Sequence, residues 1–424
     1  MIPASRTLAA VILSVVGIGA FAIIALPATT VSAHQAPALQ SYSSRHYQIE
    51  TDLPRERASR FADHMDRVFD EFERLFDDFE LKHPTRPRLY LLSTEDAYLR
   101  TLATKGINGR GSGGMYFRRA NESGVVTWIE GRPADRVHHV LQHEAFHQFA
   151  YHYLGGGLPA WANEGIAEYF GNALLVGGEF QTNVFSASNL ATIRGAIQTN
   201  QSLPFEDLFY AEREEWNRVV TSRDPRAGLA YLQSWSMVHF LVNAEGGTYQ
   251  DAFMTFVRAA GNGMAPKQAA AKAFGSDDLL PFERAWREYV LNEQQPDPTS
   301  TNMERLRFLA SGLEELHGLG IHPMSIYELQ AQLIEIRFAW TRANLHTVTL
   351  PPLRADDQML YTPAEAQITR GRRSQPAPRF EIIPAPRTKG SPPPALRLVG
   401  TPVPMTGTWT ATGDGTWMFE IEID

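Results

Sequence analysis

Apolar residues recur along this chain at two periods, and the switches between them mark its elements. Phe61, Met65, Val68, Phe69, Phe72, Leu75, Phe76 and Phe79 step by three and four, with acids and arginines between them. That spacing predicts an amphipathic helix opened by Asp52 and Pro54 and stopped by Pro84 and Pro87. Its aromatic stripe predicts core packing. Before it, residues 34–44 form a polar stub, expected to be mobile, and 46–52 alternate around Tyr47 and Ile49 as a strand does. After it, 88–92 is a short apolar strand, and 115–118 with 125–130 predict a hairpin turning at 121–124.

The next apolar set, Val137, Val140, Leu141, Ala145, Phe149 and Tyr153, predicts a helix apolar enough to lie in a core. Gly155, Gly156 and Gly157 stop it, and Pro159 suits the first turn of a second helix. From Phe170 the pattern stays largely helical to about residue 292. A linker at 292–301 follows, then two helices near 302–319 and 325–344. From Val348 the chain is rich in proline and poor in periodicity, which predicts disorder or an extended arm. It closes on a hairpin, 407–411 with 416–423, around Gly413-Asp414-Gly415. The expected class is α+β: a small mixed sheet packed on helices, a mostly helical second half and a short C-terminal β-hairpin. The expected parts are a leader (1–33), an α/β part (34–172), a helical part closing a cleft (173–292), a helical hairpin (293–347) and an extended tail (348–424).

Polar residues inside the apolar helix carry the chemistry. His143-Glu144-Ala145-Phe146-His147 is an H-E-x-x-H run. On a helix the i, i+4 spacing stacks both imidazoles on one face, where they reach one ion. Glu144 lies one step round, close enough to act on a metal-bound water without being a ligand. A catalytic zinc takes three protein ligands and keeps one position open, so the pair needs a third. Glu164, in Asn163-Glu164-Gly165-Ile166-Ala167-Glu168, is the candidate, with Glu168 as its rival on the same helical face. Asp135 suits the positive end of the helix dipole. His138 and His139 are expected to be polar residues of the first turns.

These two runs resemble the gluzincin branch of zinc peptidases, the thermolysin and aminopeptidase N type, and exported bacterial proteins that share that core. Sixteen residues separate His147 from Glu164, a few fewer than in those enzymes, so the connecting turn is tighter. The resemblance implies a zincin-like fold, a Zn2+ cofactor held by His143, His147 and Glu164, and Glu144 as general base. It also implies that Glu168 accepts a hydrogen bond from a ligand histidine, with Asn163 beside the ligands. An edge strand before the zinc helix pairs with extended peptide in that family, which implies substrate contacts for Met115 and Tyr116. Tyr116 stands where aminopeptidases carry the acid that holds a free amine, and this counts against aminopeptidase activity. The segment from Leu229 to Trp235 is similar to one whose tyrosine donates to the reaction's oxyanion, a role that falls on Tyr231. A core aromatic is the other reading of Tyr231.

Composition narrows the partners. Acidic residues outnumber basic ones, 47 to 39, for a net charge of −8 with the basic residues scattered, so no nucleic acid is expected. The chain has no cysteine, which excludes disulfides and thiolate ligands and leaves histidine and carboxylate to hold a metal. The glycine-rich run 106–114 lacks the Gly-Lys-Ser/Thr ending of a phosphate loop. An apolar run at 8–26 followed by Val31-Ser32-Ala33 has the order of a secretory signal cleaved near Ala33. The expected location is secreted or periplasmic, with membrane anchoring by an uncleaved segment as the alternative. Two function classes remain: an exported zinc metallopeptidase acting on a peptide or protein substrate, or a non-catalytic cell-envelope binding or scaffold protein that keeps the fold.

Overall fold

Strand pairing puts the expected hairpin at the edge of a five-stranded sheet. The computed structural model describes residues 38–77, 79, 86–119, 122–211, 214, 216, 218, 226–343, 347–349, 378–386, 388, 390–412 and 415–423. The expected leader and most of the proline-rich stretch lie outside these residues. The sheet contains β1 (Gln40–Ser43), β2 (Gln48–Thr51), β3 (Arg88–Leu92), β4 (Gly114–Arg119) and β5 (Glu122–Trp128), in the order β1-β2-β3-β5-β4. β2, β3 and β5 run parallel, while β1 and β4 are antiparallel to their neighbours. Residues 40–43 are therefore a strand and not a mobile stub: Tyr42 pairs with Ile49 across the β1–β2 ladder. The hairpin strands are also longer than expected, with Arg119 opposite Glu122.

The aromatic helix α1 (Arg55–Leu75) covers one face of the sheet. Phe72 holds the arrangement together. Its ring lies 5.9 Å from Phe146, 5.1 Å from Phe149 and 4.6 Å from Phe170. This locks α1 onto α3 (Ala134–Tyr153) and α4 (Ala160–Gly171), the two helices that carry the candidate chemistry. The other face packs on α2 (Glu95–Thr104), which hydrophobic periodicity did not reveal. Its signal is capping: Thr94 accepts from the Ala97 N–H, and Glu95 and Asp96 follow in the first turn.

After α4 a small hairpin, β6 (Leu174–Val176) and β7 (Glu179–Gln181), interrupts the expected helical run. Then come α5 (Ala187–Gln198), α6 (Phe205–Phe209), α7 (Arg226–Asn243), α8 (Gln250–Gly261), α9 (Pro266–Phe274) and α10 (Leu280–Glu288). One apolar core runs from Tyr47 to Val290, so the α/β part and the helical part share their interior. In that interior α4 packs on α7, and Gly165 makes the approach close. A Cβ on Gly165 would stand 2.6 Å from the Ser234 carbonyl oxygen and 2.9 Å from Val238 Cγ2. Gly165→Ala is expected to cost about 1–3 kcal/mol of stability from overpacking, exceeding the roughly 1 kcal/mol gained in helix propensity. Urea denaturation measures the balance, and an unchanged midpoint would remove Gly165 as the spacer.

The C-terminal region departs most from expectation. Helices α11 (Pro298–Gly318) and α12 (Ile326–Glu335) pack under a four-stranded antiparallel sheet, not beside a loose tail. After the short pair β8 (Thr341–Ala343) and β9 (Thr347–Thr349), that sheet consists of β10 (Arg379–Ile383), β11 (Ala395–Val399), β12 (Met405–Ala411) and β13 (Trp417–Ile423). Phe380, Leu396, Leu398 and Met405 join Leu306, Leu309 and Leu333 in a second core. The terminal hairpin is as expected, and its partner sheet is its own. The class is mixed α and β, as the patterning predicts. Among the described residues no helix is long and apolar enough to cross a membrane.

Candidate metal centre

α3 begins after Pro133 and carries its polar residues into the core, because both its neighbours bury it. His143, Glu144 and Gln148 are buried among Leu141, Ala145, Phe146 and Phe149. Burying three such groups is costly unless each finds a partner. The connection to α4 turns at Gly155 and Gly156, both at positive φ, where glycine is at ease. Gly155 also backs onto the chain at Gly261, whose carbonyl oxygen would stand 2.2 Å from a Cβ. The tighter turn expected from the short spacing is made this way. α4 then starts after Pro159 and lays Glu164 and Glu168 along α3.

Three donor atoms converge. His143 Nε2 and His147 Nε2 are 3.1 Å apart, and Glu164 Oε2 lies 3.5 Å from each. Two imidazole nitrogens face each other beside a carboxylate oxygen that has no hydrogen-bond partner, a triangle of three ligand atoms that one cation would join. A four-coordinate ion with bonds of about 2.0–2.1 Å separates its ligands by roughly 3.3 Å, close to these edges. The residues therefore fit a metal ion. Glu168 belongs to a different face of His143: its Oε1 lies 3.0 Å from Nδ1, and its Oε2 lies 3.8 Å from His139 Nε2. Asn172, one turn on, steadies it with Nδ2 3.0 Å from Glu168 Oε2. The Asn163 side-chain amide lies 3.0 Å from His147 Nδ1. Each histidine thus has a polar side chain beside Nδ1, Glu168 for His143 and Asn163 for His147, while Nε2 faces the triangle. Asn172 was not singled out in the sequence, although its i+4 spacing from Glu168 is the signal for it.

Charge follows the same plan. Burial alone would raise the Glu164 carboxyl, but His147 and His143 outweigh it and hold the group well below its ordinary range. Burial likewise opposes ionisation of Glu168, and His139 and His143 reverse that. At His143 burial works against the cation, yet Glu164 and Glu168 together raise the imidazole well above 6.5. Glu144 is set apart. Burial raises its carboxyl above 4.5 despite His143 and His147, and the Tyr116 N–H donates to its Oε2 at 2.7 Å.

That hydrogen bond ties the edge strand to the centre. Among the described residues β4 pairs with β5 alone, leaving its other edge beside α3. Gly114 lets it approach, since a Cβ there would stand 2.5 Å from Val140 Cγ1. Arg132, missed in the sequence, staples the strand's entrance by donating to the carbonyl oxygens of Gly113 at 2.7 Å and Trp128 at 3.0 Å. Tyr116 lies on the side of the centre. The Met115 side chain does not: it packs with Tyr98, Leu102 and Val126 on the α2 face, because alternate residues of a strand point to opposite faces. Met115 thus offers only main chain.

Tyr231 lies on α7, the helix that packs on α4 at Gly165. Its hydroxyl is buried without a hydrogen-bond partner, and the Trp216 ring packs edge-on at 5.6 Å. Burial first, then Glu164, Glu168 and Glu144, raise the phenol well above 10, so it stays a protonated donor. His138 and His139 are not first-turn polar residues facing water. His138 stacks on His64 at 3.9 Å, and His64 is held 2.7 Å from Gln142 Oε1, so both rings are packed between α1 and α3.

Residues 138–263 match a family model described as a protein of unknown function, DUF1570. The matched stretch opens one turn before His143 and closes past the end of α8, so it spans every residue of the centre and Tyr231 but not β4. No curated protein matches the chain.

Proposed function

We propose that the chain is an exported zinc-dependent peptidase of the gluzincin kind, with His143, His147 and Glu164 holding the ion. The observation that carries this reading is the convergence of two Nε2 atoms and one carboxylate oxygen beside a buried, separately held glutamate. An all-nitrogen-and-oxygen donor set in a cysteine-free chain suits zinc. A zinc ion there supplies Lewis acidity, drawing the pKa of bound water towards about 7 and polarising a carbonyl.

The side chains supply the rest. An extended peptide adds to the free edge of β4 through main-chain hydrogen bonds, with Tyr116 nearest the reacting bond. Glu144 takes the proton of the attacking water and passes it to the leaving amine, acting as base and then as acid. Its raised pKa favours the second transfer. Tyr231 donates its unpartnered hydroxyl to the oxygen that gains charge as water adds to the carbonyl. Glu168 and Asn163 keep the two imidazoles oriented. The apolar run and small-residue site at 1–33 support export to the periplasm or the exterior.

Tyr231→Phe tests the assignment on α7. Losing one oxyanion donor is expected to lower kcat by roughly 10²–10³-fold with KM and thermal stability nearly unchanged. A variant with full kcat would make Tyr231 a packing residue. The reading as a whole is tested by zinc content and by cleavage of a mixed peptide library; no metal at stoichiometric zinc ends it.

A further inference from the structure

β4 ends in two consecutive arginines, and the alternation of a strand sends them to opposite faces of the sheet. Arg119 is spent inside the fold, donating to the carbonyl oxygens of Lys105 at 2.9 Å and Gly106 at 3.2 Å. Glu122, its partner across the β4–β5 ladder, is held on that same face by Lys105 at 2.7 Å and Arg88 at 3.2 Å. Arg118 points the other way, with Tyr116. Its guanidinium carbon lies 4.0 Å from the centroid of the Tyr151 ring, and the Tyr151 and Tyr116 rings are 6.4 Å apart. Arg118 is exposed, and among the described residues it forms no ion pair and donates no hydrogen bond.

Three placements put this cation beside the open edge of β4. Tyr151 follows His147 by four residues, so it stands on the face of α3 that carries His143 and His147. The Tyr116 N–H donates to Glu144 Oε2 at 2.7 Å, which fixes where the strand meets the centre. Arg118 lies two residues further along, roughly 7 Å from that point. A peptide added to this edge lays its own side chains beside those of β4, with cross-strand Cβ atoms about 4.5–5.5 Å apart. One of them therefore lies next to Arg118. The nearest acid on the hairpin, Glu122, is engaged on the far face, and His152, 3.2 Å from Ser123 Oγ, brings no negative charge. Stacking on Tyr151 holds the guanidinium plane and leaves its N–H fork open to a carboxylate.

We propose that Arg118 is a specificity-determining residue, selecting peptides that place an aspartate or glutamate beside it in the added strand. The mode of peptide binding rests on the peptidase reading, so the test measures binding as well as cleavage. The probes are fluorescently labelled alanine–serine octapeptides in which one Glu, Gln or Lys is walked through the sequence. Anisotropy gives their Kd on full-length, zinc-loaded Glu144→Gln protein, and kcat/KM is measured with Glu144 intact. At one position of the walk Glu is expected to be favoured over Gln by roughly fivefold, and over Lys by more. Arg118→Gln brings the Glu-to-Gln ratio close to one. Arg118→Glu reverses the order of Glu and Lys, which a merely structural role would not do. The preference also shrinks as salt is raised.

A Glu-to-Gln ratio that is the same with Arg118 and with both replacements overturns the inference. So does a ratio of one at every position in the protein that keeps Arg118; if those peptides are cleaved, the peptidase reading stands without it. The expected Kd ratios with no cleavage of any peptide support Arg118 as the selecting residue and remove the peptidase reading. No binding of any peptide up to about 1 mM overturns strand addition and this inference together.

Discussion

Glu144→Gln is expected to retain its zinc and lose its turnover. The side chain contributes no atom to the donor triangle, and glutamine keeps an oxygen to accept the Tyr116 N–H, so neither the ion nor β4 is disturbed. What goes is a group able to take a proton, and general base catalysis of this kind is worth roughly 10²–10⁴-fold. The same group is expected to set the acid limb of the wild-type pH profile. The carboxylate is the working form, and burial raises its pKa above 4.5, so kcat/KM is held above that raised pKa and falls as pH drops through it. Zinc content by mass spectrometry and kcat/KM on an internally quenched peptide mixture read both effects. Undiminished turnover in the variant overturns the mechanism. Zinc bound by the wild type with no cleavage of any peptide would leave the binding-protein reading in its place.

Glu164→Ala is expected to lose the metal itself. Its Oε2 is one corner of the triangle, and no other acid takes its place, because Glu168 faces the Nδ1 side of His143. Zinc affinity, measured by competition with a chelating dye, should fall more than roughly 100-fold. Glu168→Gln, which loosens only the grip on one imidazole, should cost roughly 10–100-fold. The reverse order would transfer the ligand role to Glu168 and to the neighbouring His139–His143–Glu168 group. Uptake should also release protons, since the His143 imidazole holds its proton strongly between two carboxylates and must give it up to bind. Calorimetry in buffers of different ionisation enthalpy counts them.

The sequence was most legible where the signal was local. The aromatic stripe of α1 and the apolar frame of α3 are helical periods, so Phe72, His143 and His147 could be placed on their faces before any fold was known. It was least legible where the deciding contact was distant. Glu164 and Glu168 are i, i+4 on one face and equivalent by pattern. Met115 and Tyr116 are known to point oppositely, but not which way. The strands at 379–383 and 395–399 are short and set among prolines, and what makes them strands is pairing such as Phe380 with Leu398. His138 and His139 looked like surface residues because nothing nearby in the chain announces His64 or the C-terminal sheet.

The amino-acid order by itself determined the helix, the stacking of two imidazoles on it, the glutamate beside them, the glycine turn and the choice of nitrogen and oxygen as the available ligands. These depend on neighbours within a few residues, where backbone geometry is set by steric rules. Tertiary structure alone decided which glutamate faces Nε2, which face of β4 meets the centre, and that α7, which carries Tyr231, packs on α4 at Gly165. Each of these depends on groups brought together from distant parts of the chain, and packing, not periodicity, selects among the faces a local pattern leaves equal.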